Sequence, residues 1–398
     1  MPSVTTYQKA PTIAGAKPVL HPRLGAKGLA VHNAPKQTYL QCSGYNPLTG
    51  EWRLTQALSL GKGKAESQIQ NIFSNTGDYR NRTVLYGGGH GSSWGYIGNS
   101  ILTQFDNIGT NKKVTDRRLA LIPSSWRGNK TSASSGVKFF DPVAGYMSPT
   151  TDTVHKKVGV RSVNAAGLQT FRLYDWTEFT AGHFSVEAQV SFMKLGTFQG
   201  WATFGDTFWT LFGKTDGRAF IYEYKWSKAS KILGKPVAKL EVTALLKKHR
   251  RTSHEPEGLF VVNFCGLTTL MMGARFDSAS RRRFLVFNVC SILHSTVQTE
   301  AATRLLQDWP IKTVSAAALA KARAGKYTSR HVFVYQQMLW KQGSYRAMID
   351  GKWGAVTEEA HRKATGGSGI QKLGLDMVRL AAIRNKLSNN LAKSIVVR

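Results

Sequence analysis

From about residue 36 to 294 the chain is written in short aromatic and β-branched runs separated by turn clusters, and this pattern narrows its possible folds more than any other feature. Phe220, Tyr222, Tyr224 and Trp226 alternate with Ile221, Glu223 and Lys225, and Phe284, Val286 and Asn288 alternate with Leu285, Phe287 and Val289. A period of two sends successive side chains to opposite faces, so these runs predict strands. Asn46-Pro47-Leu48-Thr49-Gly50, Asp141-Pro142-Val143-Ala144-Gly145 and Asp216-Gly217 supply the turns between them. Many short strands at this spacing mean a sandwich, a barrel or a propeller. The segment is long for one sandwich and suits several four-stranded blades. The expected architecture is mainly β, a five-bladed β-propeller over 36–294 followed by a small all-α domain.

The flanks read differently. Residues 1–35 are expected as an extended N-terminal arm, because Pro11, Pro18 and Pro22 with Gly15, Gly25 and Gly28 break any periodicity. Residues 295–320 read as a linker running into an Ala/Lys-rich, helix-favouring stretch, and 321–366 as a small helical domain. Within it Thr357 occupies an expected N-cap, Glu358 and Glu359 the first turn, Arg362 and Lys363 the last, with Gly366 beyond. Leu373, Met377, Leu380, Ile383, Leu387 and Leu391 form an apolar stripe on a basic C-terminal helix over 367–398.

Charge narrows the partners. The chain carries 54 Lys and Arg against 23 Asp and Glu, a net +31. The excess is +11 over 295–398 and +20 over the rest, so it belongs to folded segments as well as the end of the chain. Basic surfaces of this kind meet polyanions: nucleic acid, acidic lipid or a phosphate-rich wall polymer. No P-loop, zinc-finger or RNP text marks a specific nucleic-acid binder. Cys42, Cys265 and Cys290 are too few and too scattered for a disulfide framework or a metal site and are expected as free thiols. Met1–Leu20 lacks the continuous apolar run of a secretory signal, and no stretch is long and apolar enough to span a membrane.

Two motifs bear a family resemblance. Ile349-Asp350-Gly351-Lys352-Trp353-Gly354-Ala355-Val356-Thr357-Glu358-Glu359-Ala360 resembles the core of the small three-helix peptidoglycan-binding domain, departing from it at Lys363-Ala364. The resemblance implies glycan contacts by Asp350, Trp353 and Thr357; Trp353 reads equally as a core residue. Tyr86-Gly87-Gly88-Gly89-His90-Gly91-Ser92-Ser93-Trp94-Gly95 and His254-Glu255-Pro256-Glu257-Gly258-Leu259 resemble the family of teichoic acid biosynthesis protein C and the propeller heads of phage receptor-binding proteins. That resemblance implies a five-bladed propeller recognising wall glycopolymer.

The candidate ligand residues follow. His90, His183, His254, Glu255 and Glu257 stand beside Gly-rich or Pro-marked turns, where equivalent blade positions point them at the central channel. Their competing role is to hydrogen-bond between blades. Trp94 and Trp201, each flanked by glycine, are expected to be exposed for stacking on sugars. The expected function is non-enzymatic: a phage tail or receptor-binding protein attaching to anionic glycopolymer or peptidoglycan of a Gram-positive host, working at the cell surface. Other virion tail proteins and a homo-oligomer are further expected partners, and no cofactor, metal, specific nucleic acid or membrane span is expected. The alternative is a wall hydrolase or depolymerase using Glu255 and Glu257, which strand geometry would set about 7 Å apart.

Overall fold

The computed structural model describes residues 9–21, 24–31, 38–46, 51–58, 66–74, 77–108, 114–228, 231–232, 234–249, 253–264, 267–277, 282–293, 320–321, 323–325, 332, 336, 339 and 353–364. The expected linker up to 319, Cys265, Asp350 and the expected helix at 367–398 lie outside them.

The strand-period text folds into five mainly antiparallel sheets, each a blade. The first holds Thr38–Asn46, Glu51–Leu58, Ser67–Phe73 and Tyr79–Leu85; the second Gly95–Ile97, Ser100–Ile108, Val114–Pro123 and Lys138–Phe140. The third holds Met147–Asp152, Lys157–Val163, Leu168–Asp175 and Val186–Met193; the fourth Phe198–Phe204, Thr207–Phe212, Phe220–Lys225 and Ala238–Glu241. The fifth takes Ser253–Phe264, Leu267–Asp277 and Arg282–Leu293 from the end of the propeller text. Its outer strands come from the other end: Val19–Leu20 and Leu29–Val31 both pair antiparallel with Arg282–Leu293. The segment expected as a separate arm therefore closes the ring. Ile13 is buried in the core of the last two blades, and its N–H donates to Glu223 Oε2 (2.8 Å). Proline and glycine hid these strands because each needs only two or three residues.

Close approaches between the inner strands of successive blades join the ring in order. A Cβ on Gly44 would meet the Trp94 ring, on Gly95 Thr151, on Gly159 Trp201, on Gly200 the Gly258 backbone, and on Gly258 Cys42. These contacts run from the first blade through the fifth and back. Apolar clusters then seal the interfaces from the first blade through to the fifth, such as Phe171, Phe192, Trp201, Phe208 and Tyr224 between the third and fourth blades. Outer edges are covered too. Gly128–Lys130 pairs in parallel outside Tyr79–Leu85, and Lys231–Ile232 outside Val186–Met193, so a loop from one blade caps the open edge of the blade before it.

The chain divides into two compact units, with all five blades in one and the C-terminal segment in the other. In the second unit Val332, Gln336 and Leu339, spaced at four and three, are helical and buried. The helix Ala355–Ala364 follows Trp353 and Gly354. Thr357 lies inside this helix, not at its N-cap, since Glu358 N–H already donates to Gly354 O (2.9 Å). Its hydroxyl instead accepts from Gln336 Nε2 (2.9 Å) in a buried contact.

Candidate functional site: one mouth of the propeller

Antiparallel strands alternate in direction, so in each blade the second-to-third connection and the link to the next blade lie at the same end of the ring. At this end side chains from all five blades meet. His90, in the link from first to second blade, has Nδ1 2.7 Å from Oε2 of Glu66, and the two are half-buried. The His90 hydrogen bond, opposed by burial, holds the Glu66 carboxyl below its ordinary range. Arg117, in the second blade, lies 4.0 Å from Asp106 and stacks over Tyr146, 5.2 Å from the ring centroid. On the third blade the Arg161 guanidinium lies 3.6 Å from the Phe198 centroid and 5.9 Å from that of Tyr146. Gln199, of the fourth blade, donates to Glu255 Oε1 (3.1 Å), and Glu255 pairs with Arg275 at 2.7 Å. Tyr39, of the first blade, is exposed with its ring 6.0 Å from that guanidinium.

The fifth blade explains the Glu-Pro-Glu text. Residues i and i+2 of a strand share a face, so Glu255, Glu257 and the facing Arg275 and Asp277 form one cluster. Arg275 lies 4.0 Å from Glu257 and 3.4 Å from Asp277. Glu257 is fully buried, and burial, with Glu255 and Asp277 adding to it and Arg275 opposing, pushes its carboxyl well above the usual range. His254 is fully buried as well, with Nδ1 3.0 Å from Asp216 and its ring stacked on Phe276. The backbone N–H of His254 also donates to Asp216 (3.1 Å), binding the fourth blade's loop to the fifth blade. Buried carboxylate and imidazole groups of this kind need fixed partners.

The centre is narrow below this mouth. A Cβ on Gly200 would lie 2.6 Å from Gly258 Cα and 3.1 Å from Ser92 O. Ser92 lies in the link into the second blade, which is not a neighbour of Gly200's blade, so backbone meets across the axis at this level. His254 and Glu257 lie buried beneath the rim.

The other sequence-expected residues are placed as follows. Trp94 is buried against Gly44, with its ring edge-on to Tyr96. Trp201 is fully buried, and its indole N–H donates to Ser148 O (3.0 Å). The expectation of exposure fails at both because Gly44 and Gly159 of the preceding blades leave room for the rings to pack between blades. His183 is exposed, but follows the helix Trp176–Ala181 between the third and fourth strands of its blade, at the opposite end of the ring. Its Nδ1 lies 3.1 Å from Glu178. In the C-terminal unit the Trp353 indole donates to Glu358 Oε2 (2.9 Å), and the burial of Thr357 withdraws it from any ligand. Lys247 and Lys248 stand exposed on the helix Thr243–His249.

Sequence reading missed Arg161, Tyr146, Phe198, Arg117 and Arg275. For Arg161 the signal was present: a cation in the interior of the strand Lys157–Val163, whose other central residues are apolar or glycine and buried. Gly91-Ser92-Ser93-Trp94-Gly95 has the G-x-S-x-G spacing of a hydrolase nucleophile turn. Here it leads into a propeller strand, not from strand to helix, and Ser93 is buried with its hydroxyl unpartnered among the described residues. Cys42 and Cys290 are free, and burial pushes both thiols up. Among the described residues no cluster of His, Cys, Asp or Glu is arranged to hold a metal ion, and no helix is long and apolar enough to cross a membrane.

No protein-family description and no curated protein matches the sequence. Solved structures do. The β-propeller domain of the Trilobed protease from Pyrococcus furiosus is 8% identical, with a TM-score of 0.30 over 63% of this chain and 83% of that one. The exo-β-1,3-galactanase of Phanerochaete chrysosporium is 11% identical, with a TM-score of 0.37 over 67% of this chain and 63% of that one. The tail fiber of Staphylococcus aureus phage P68 is 14% identical, with a TM-score of 0.50 over 74% of this chain and 56% of that one. The chain spans just over half the length of that tail fiber, and its likeness to it is one of fold.

Proposed function

We propose that this chain is the receptor-binding part of a phage tail and attaches the particle to the phosphate-bearing glycopolymer of a Gram-positive wall. The observation that carries the reading is the mouth itself. Guanidinium groups and aromatic rings alternate there as Arg117, Tyr146, Arg161 and Phe198, within a protein of net charge +31. Rings take the C–H faces of sugars and polyols, while guanidinium groups take phosphate oxygens in paired hydrogen bonds. The similarity in fold to a staphylococcal phage tail fiber supports the same reading. Spread positive charge speeds the encounter with the polymer without fixing what is recognised.

Co-sedimentation with purified Gram-positive walls tests it, comparing intact walls with walls chemically stripped of teichoic acid at two salt concentrations. Binding lost on stripping, with no soluble wall fragments released, is the expected result. Undiminished binding to stripped walls would transfer recognition to peptidoglycan, and steady release of fragments would favour the hydrolase.

A further inference from the structure

Arg161 is 4% exposed, yet among the described residues no carboxylate pairs with it. Its Nε donates to Gln169 Oε1 (2.7 Å), while the two terminal nitrogens donate to nothing among the described residues. Burial, opposed by Tyr146, lowers its pKa to about 10, so the group remains a cation at neutral pH. Two more polar groups beside it are buried and unsatisfied among the described residues, Gln169 Nε2 and the hydroxyl of Ser148. Ser148 stands directly opposite Arg161 across the strand pair, and Gln169 lies on the next strand, against Val163. Period two puts Ser148, Arg161, Val163 and Gln169 on one face of the third blade. A buried cation with no carboxylate partner among the described residues and a row of unmade donors is costly unless an acceptor-rich anion completes it.

We infer that this edge of the third blade is a subsite for a phosphodiester, gripped by the Arg161 fork, Gln169 Nε2 and the Ser148 hydroxyl. The inference rests on the reading of the chain as a binder of wall glycopolymer and adds where one repeat of that polymer is held. A phosphodiester carries one negative charge against one guanidinium, where a phosphate monoester carries close to two. Phe198 and Tyr146 flank the guanidinium with apolar faces, which suit the carbon chain on either side of a bridging phosphate and give a free phosphate nothing to rest on.

The test is a titration of the full chain with glycerophosphoglycerol, glycerol 3-phosphate and inorganic phosphate, each for wild type, Arg161→Lys, Arg161→Gln and Arg161→Met. Wild type should bind the diester most tightly. Arg161→Gln should lose about tenfold or more of that affinity, and Arg161→Lys should lose part of it, since an ammonium keeps the charge but not the fork. Arg161→Met should melt close to wild type, because relief of the buried charge's desolvation offsets the lost Gln169 bond and ring contacts. The subsite is overturned by wild-type diester affinity in Arg161→Gln or in Arg161→Lys, by tighter binding of inorganic phosphate than of the diester, or by a markedly lower melting temperature in Arg161→Met. Wild type that binds walls unchanged by these substitutions would sink the subsite and leave the wall-binding reading standing. Wild type that binds the soluble diester through Arg161 but ignores walls would do the reverse.

Discussion

At the scale of single residues, glycine decides which aromatic rings are core. Gly44 and Gly159 leave room for Trp94 and Trp201, which fill the spaces between neighbouring blades. Replacing Trp201 by Ala should therefore cost about 3–5 kcal/mol, as for large core aromatics, and lower the melting temperature without selectively weakening ligand binding. Glu257 offers a second test. Its carboxyl is raised well above the usual range by burial, so the unfolded chain releases this proton first as pH rises. Stability from this site is complete below the ordinary glutamate range and declines as pH climbs toward the folded-state value. Melting curves from pH 4 to 8 should show that decline in wild type, and Glu257→Gln should flatten it and melt higher than wild type at pH 8. A parallel decline in both proteins would mean that Glu257 is ionised when folded.

At the scale of elements, ring closure is where sequence and structure differ most. The propeller class was legible because alternation in runs such as Phe220–Lys225 survives wherever a strand has one face against each neighbouring blade. The closing strands Val19–Leu20 and Leu29–Val31 were not, because such short pairings leave no period to read. Their role predicts a large effect of truncation. Removing residues 1–31 exposes the edge of Arg282–Leu293 and takes Ile13 from the core, so the shortened protein should melt at least 10 °C lower or aggregate, by circular dichroism and light scattering. A truncated protein melting like the full chain would show that the other blades hold the ring unaided. The rim was half legible for the same geometric reason. His90 and Glu255 sit in motifs a reader notices, while Arg161 and Tyr146 become neighbours only when separate parts of the chain meet.

At the scale of the whole molecule, the propeller has two unlike ends. One gathers His90, Arg117, Tyr146, Arg161, Phe198, Glu255 and Arg275; the other carries the capped helix Trp176–Ala181 with His183 and Glu178. The central claim is that polymer is read at the first of these ends. Hydrogen exchange of the full chain with and without soluble teichoic acid tests it most directly, since bound polymer slows opening of the backbone it covers. The account predicts slowed exchange in 86–94, 141–146 and 194–199, with 176–186 unchanged. Protection confined to 176–186, or to the C-terminal residues 353–364, would contradict it.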